Sequence, residues 1–126
     1  MLASAKLIAF AATTDSARSR KFYEGLLGLR FVSEDEYAVN FDIRGIELRI
    51  QKVRTFTPQA HTLLGWYVPS IDEVVTELVH KGIAFERYTS LEQDEHGVWT
   101  SPSGARIAWL KDPDGNLLSV TEPPRG

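Results

Sequence analysis

Apolar and polar positions along the chain run through the same pattern twice. Residues 6–13 (K-L-I-A-F-A-A-T) form an apolar run of strand length, and Asp15 follows where a helix N-cap would stand. Ala17, Phe22, Tyr23, Leu26 and Leu27 recur at helical spacing between Arg18, Lys21 and Glu24, and Gly28 supplies a stop. Residues 29–32 and 37–43 predict strands on either side of a polar segment, 33–36. After the turn at Arg44-Gly45, residues 46–53 alternate with period two. Ile46, Leu48 and Ile50 fall on one face, and Glu47, Arg49 and Gln51 on the other. The first cycle reads β-α-β-β-β.

A polar connector, 54–62, leads into the second cycle. Residues 63–68 (L-L-G-W-Y-V) predict a strand, and Ser70 with Glu73 forms a capping box for a helix whose apolar side is Val74, Val75, Leu78 and Val79. Gly82 closes it. Residues 83–88 predict a strand, 97–100 a short one, and Ser101-Pro102-Ser103-Gly104 a turn. Two apolar runs, 107–110 and 117–120, then flank Asp112-Pro113-Asp114-Gly115-Asn116. In that turn proline presets φ, Asp114 can bond the local backbone and Gly115 tolerates positive φ, so the pair predicts a tight hairpin. The junctions Gly28-Leu29-Arg30-Phe31 and Gly82-Ile83-Ala84-Phe85 match, which points to an internal duplication. The expectation is one α+β domain over 1–126, built of two βαβββ modules at about 5–54 and 62–122, with a frayed tail at 123–126. A ferredoxin-like or unrelated α+β meander is the competing arrangement.

Composition narrows the partners more than the fold. With 14 basic against 17 acidic residues and no basic run, nucleic acid is an unexpected partner. No apolar segment approaches 18 residues, so no membrane span is expected. The start of the chain lacks the pattern of a signal peptide, and the expected location is cytoplasmic. The absence of cysteine removes thiolate nucleophiles, disulfides and Cys-ligated zinc.

Phe22-Tyr23 with Leu27-Gly28-Leu29, Gly65-Trp66, the stretch Gln93-Asp94-Glu95-His96-Gly97-Val98-Trp99 and Lys111-Asp112-Pro113-Asp114-Gly115-Asn116 together resemble the glyoxalase/bleomycin resistance/dioxygenase group, the vicinal oxygen chelate superfamily. The resemblance implies paired half-barrel sheets around a concave pocket, and commonly a homodimer. It also implies a fold that carries lyases, dioxygenases, epimerases and drug-binding proteins. Metal-using members take one ligand from the first and one from the last strand of each module. Carried over, those positions fall on Ile8, Glu47, Trp66 and Ser119. Only Glu47 is a good ligand, so no metal and no other cofactor is expected. His80, in the last helical turn, suits the helix dipole, and Asp94-Glu95-His96 reads as a surface loop.

Strand parity then assigns the pocket wall. Ile8, Phe10, Glu47, Arg49, Gln51, Trp66 and Ser119 are the expected ligand-binding residues, with Trp66 either a stacking platform or a core residue and Trp99 and Trp109 assigned to packing in the barrel or at a dimer face; for each indole core packing is the safer reading. An apolar, aromatic lining with few polar groups suits a small organic ligand held without a metal. The alternative is a metal-independent lyase or isomerase of the glyoxalase type. There Glu47 would act as acid/base, and Arg49 or Gln51 would stabilise an oxyanion.

Overall fold

Both helices stop at the matching glycine junctions, where Gly28 and Gly82 take φ of +73° and +92°. The structure, a computed structural model, describes residues 1–125; the last residue of the expected tail, Gly126, lies outside the described residues. The chain divides into two compact units, Met1–Thr57 and the remainder from Pro58.

In the first unit a short 3-10 turn, Leu2–Ser4, precedes β1 (Ile8–Thr13). The Asp15 carboxylate accepts the Arg18 N–H at 3.1 Å and caps α1 (Ser16–Arg20). That helix widens into a π-helical turn, Lys21–Leu26, closed by the Leu27 N–H on the Phe22 carbonyl at 3.0 Å. The Leu29 N–H then reaches back to the Tyr23 carbonyl at 2.9 Å. Strands β2 (Arg30–Glu34), β3 (Ala38–Ile43) and β4 (Ile46–Lys52) complete a sheet ordered β1-β4-β3-β2, with β1 and β4 parallel and the other pairs antiparallel. Tyr23 packs on Phe41 with ring centroids 5.9 Å apart, and Val39, Phe41, Leu48 and Ile50 are fully buried. The helix therefore covers one face of the sheet, the face the period-two pattern assigned to Leu48 and Ile50.

Strand β2 runs past Val32, through residues read from sequence as a polar loop. A bulge between Phe31 and Ser33 sets Ser33 opposite Asn40 and Glu34 opposite Val39. Polarity misleads here because β2 is an edge strand, where polar side chains are tolerated. Glu34 pairs with Lys52 at 2.8 Å, and Asp35 accepts the N–H groups of Tyr37 and Ala38 at 2.7 and 2.9 Å, tightening the turn.

The second unit holds β5 (Leu64–Tyr67), α2 (Ile71–His80), β6 (Trp99–Thr100), β7 (Arg106–Lys111) and β8 (Leu117–Glu122), ordered β5-β8-β7-β6 with β5 and β8 parallel. Ser70 Oγ accepts the Glu73 N–H at 3.4 Å, as the capping box requires. The buried Glu122 carboxylate accepts the Ile71 N–H at 3.1 Å, placing negative charge at the positive end of α2. Ile71, Val75, Val98, Ala108 and Val120 form the core beneath the helix.

The strand expected at 83–88 does not form. The Glu86 N–H donates to the Trp109 carbonyl of β7 at 2.8 Å and the Glu86 carboxylate pairs with Lys111 at 3.5 Å, while β6 occupies the neighbouring edge at Arg106 and Ile107. The Gln93 amide replaces the missing ladder. It accepts the Tyr88 N–H at 2.7 Å and donates to the Glu86 and Gly97 carbonyls at 2.9 Å each.

The hairpin forms as expected, with Asp112 at its centre. One Asp112 carboxylate oxygen accepts the Asp114 and Asn116 N–H groups at 2.9 Å each, and the other accepts Asn116 Nδ2 at 2.8 Å. Gly115 has φ +90°, and a Cβ there would stand 2.9 Å from Pro58 Cγ. The architecture is α+β, with one four-stranded mixed sheet in each unit. Among the described residues, no helix is long and apolar enough to cross a membrane.

Candidate functional site

Side chains on the helix-free face of the first sheet fall into cross-strand rows. One row is Ile8, Glu47, Asp42 and Arg30; the next is Phe10, Arg49, Asn40 and Ser33; Ala12, Gln51 and Ala38 follow. The expected residues Ile8, Phe10, Glu47, Arg49 and Gln51 thus share one face. Ile8 and Phe10 are 43% and 46% exposed, unusual for apolar side chains on a strand that is half core.

The electrostatics of this face are loosely knit. Arg49 Nη1 lies 3.9 Å from a Glu47 carboxylate oxygen, and Arg30 Nη1 lies 3.8 Å from Asp42, both beyond hydrogen-bond reach. Glu47 stands opposite Asp42 in register, so two carboxylates face each other across β3 and β4. Asn40 is only 4% exposed; its Nδ2 donates to Ser33 Oγ at 3.2 Å, while its Oδ1 has no partner among the described residues. Leaving such a carbonyl buried and unpaired costs about 1–3 kcal/mol. Sequence reasoning passed over Asn40 and Asp42, although they alternate with Val39 and Phe41 in A-V-N-F-D-I and carry the same period-two signal as β4.

In the second unit the register sets Gly65, not Trp66, opposite Ser119, and Trp66 opposite Val120. Trp66 and Val68, both partly buried, pack against the core under α2, and Trp66 also borders the pocket described below. A glycine carries no side chain to reveal which face it occupies, so the alternation of L-L-G-W-Y-V was ambiguous. The helix-free rows are Gly65, Ser119 and Trp109, then Tyr67, Thr121, Ile107 and Trp99. Trp99 and Trp109, expected to be packing residues, lie on this face with ring centroids 6.2 Å apart, and Tyr88 meets Trp109 edge-on at 5.5 Å. Burial raises the Tyr88 phenol above its ordinary range. Tyr67 is 82% exposed. A pocket of about 250 Å³ is lined by Gly65, Trp66, Tyr67, Ser119 and Thr121.

The donor set does not fit the metal that the resemblance implies. The first unit offers an alkyl side chain and one carboxylate at Ile8 and Glu47. The second offers Gly65 and a hydroxyl, and Ser119 Oγ lies 2.7 Å from where a Cβ at position 65 would stand. Among the described residues, no three His, Asp or Glu side chains are grouped to hold an ion. His96 is exposed, with Nε2 3.6 Å from Glu95, and its loop is fixed by Asp94, which accepts the His96 and Val98 N–H groups at 2.9 Å each. His61 lies in the connector and His80 at the exposed end of α2.

Residues 7–120 match the family model described as Glyoxalase/Bleomycin resistance protein/Dioxygenase superfamily. No curated protein matches the chain. Solved structures agree on the fold. A member of that superfamily from Sphaerobacter thermophilus DSM 20745 superposes with TM-score 0.74 at 19% identity, over 97% of this chain and 99% of that one. Lactoylglutathione lyase from Agrobacterium tumefaciens gives TM-score 0.73 at 19% identity, over 94% and 93%. TioX from Micromonospora sp. ML1 gives 0.69 at 16% identity, over 94% and 98%.

Proposed function

Since the chain belongs to the Glyoxalase/Bleomycin resistance protein/Dioxygenase superfamily, we propose that it uses this fold to bind a small apolar or aromatic organic molecule, with no divalent ion at the family's ligand positions. The observation that carries this reading is the helix-free face of the second unit. There the register sets Trp109 beside Ser119 and Tyr67 beside Thr121, Trp99 packs on Trp109, and a pocket of about 250 Å³ is lined by Gly65, Trp66, Tyr67, Ser119 and Thr121. Aromatic faces with one or two fixed hydroxyls select flat organic ligands, the rings supplying contact area and the hydroxyls orientation.

Titration with 1-naphthol, followed by tryptophan fluorescence, tests it. Saturable quenching is expected, lost in Trp109→Phe and kept in Trp66→Phe. The opposite pattern, or no saturation, overturns the proposal. Protein purified without chelator should carry no stoichiometric nickel, zinc, manganese or iron; stoichiometric metal would contradict the metal-free part.

A second reading is favoured by the Glu47 carboxylate standing beside Arg49 on the exposed face of the first unit. In a lyase or isomerase, Glu47 would take a proton next to a carbonyl, and Arg49 would stabilise the oxyanion that develops. Deuterium incorporation at the carbon next to the carbonyl of phenylacetaldehyde, read by NMR, should then occur with the native protein and stop in Glu47→Gln. Incorporation at the same rate in the variant would end that reading.

A further inference from the structure

We infer that the row Phe10, Arg49, Asn40 and Ser33 is a recognition site for a small aryl or alkyl carboxylic acid bearing an O–H or N–H donor on the carbon next to its carboxylate. It deepens the organic-ligand reading above, on which its apolar end rests, and extends it to the first unit.

Three observations combine. First, the row is continuous, one side chain per strand from β1 to β2 at a spacing of about 4.8 Å, with every member on the helix-free face. Its order is a half-exposed phenyl ring, a guanidinium, a buried carboxamide and a hydroxyl. The hydroxyl is there because of the β2 bulge, which brings Ser33 rather than Val32 opposite Asn40.

Second, the guanidinium is under-used. Its contact with Glu47 at 3.9 Å is an ion pair without a hydrogen bond, and the Arg49 side chain is partly exposed. Its planar fork of N–H groups suits a carboxylate bound through both oxygens.

Third, Asn40 Oδ1 is a buried acceptor without a partner among the described residues, although its register neighbour Arg49 carries several donors. A carboxylate that draws the Arg49 side chain outward uncovers Oδ1, and a hydroxyl or amino group on the adjacent carbon then supplies the missing donor. The remaining substituent lies over Phe10 and Ile8. A plain carboxylic acid would satisfy Arg49 and leave Asn40 unpaired, so discrimination rests on one hydrogen bond.

Mandelate and phenylacetate differ by that hydroxyl alone, and calorimetry with both probes tests the assignment. The native chain should bind mandelate at least about tenfold more tightly, the size of preference that pairing a buried polar group produces. Asn40→Leu should erase the preference and leave phenylacetate affinity unchanged. Arg49→Gln should weaken both acids. On saturation with mandelate the Asn40 side-chain amide resonances of the native protein should shift clearly further than on saturation with phenylacetate. This readout does not depend on a variant that folds. Equal affinities in the native chain, a preference that survives Asn40→Leu, or Asn40 shifts no larger with mandelate than with phenylacetate would each overturn the inference. So would an Asn40→Leu variant that melts higher with mandelate binding intact, the signature of a carboxamide holding a structural water only. If 1-naphthol binds but mandelate shows no preference, this site alone fails. If mandelate is preferred and 1-naphthol does not bind, the aromatic-face reading fails and this site stands.

Discussion

Trp66 stands one residue from Gly65, the position that faces Ser119, and that single step puts its indole on the core side of the sheet while it still borders the pocket. Its indole packs with Val68 against the cluster formed by Ile71, Val75, Val98, Ala108 and Val120. Replacing it with alanine should therefore cost about 3 kcal/mol of stability in urea titration. Trp109→Ala, on the helix-free face, should cost clearly less and change ligand quenching instead. A larger loss at Trp109 than at Trp66 would show that the two rings exchange faces. Asn40 is the complementary case, a polar residue whose burial is expensive unless something pairs with its carbonyl. Its alternation with Val39 and Phe41 was legible in the sequence, but its unpaired Oδ1 was not. That depends on where Ser33 arrives after a bulge and on how Arg49 lies.

Among the elements, the hairpin between β7 and β8 shows how local chemistry and tertiary contact divide the work. Proline, a positive-φ glycine and a carboxylate at its start specify a tight turn by themselves. The sequence did not show that Asp112 alone would gather two backbone N–H groups and the Asn116 amide, nor that Pro58 would close over Gly115. Gly115→Ala meets both constraints at once, a φ of +90° and a methyl 2.9 Å from Pro58 Cγ. It should lower stability by about 1–3 kcal/mol in thermal unfolding, by strain and displacement together. A change within error would mean that the connector at Pro58 moves away freely. The segment at 83–88 is the reverse case. Its composition is that of a strand, yet its pairing edge is shared with β6, and one glutamine side chain completes its hydrogen bonds.

Across the whole molecule, acid stability should follow carboxylates in both units. The Lys52 ammonium, hydrogen-bonded to Glu34, holds that carboxyl below its ordinary 4.5. The Tyr37 and Ala38 N–H groups hold Asp35 below 3.8, and the Arg106 guanidinium, bonded to Asp72 at 2.8 and 3.0 Å, does the same there. Arg106 is raised in turn by Asp72, so the two partners agree in sign. A carboxyl depressed in the folded state adds stability that is fully present above its unfolded value and lost as pH falls through the folded one. The urea midpoint should therefore hold from neutrality to about pH 4.5 and then decline toward pH 3. The decline should be shallower in Asp35→Asn. A midpoint that does not move over that interval would contradict the assignment.

The sequence by itself determined the first β-α-β-β-β cycle, the second apart from the strand expected at 83–88, the capped helices with their glycine stops, the closing hairpin and the face that Glu47, Arg49 and Gln51 share. All of these rest on short-range periodicity and turn chemistry, which neighbouring residues encode. Tertiary structure alone decided the rest. It set Trp66 against the core under α2 and Trp99 and Trp109 on the helix-free face, because the register with the partner strand decides which face each takes. It extended β2 through a bulge, replaced a strand with a glutamine side chain and left one buried carbonyl on Asn40 unpaired. Each is a long-range pairing choice, settled by which edges and donors remain once the core has packed.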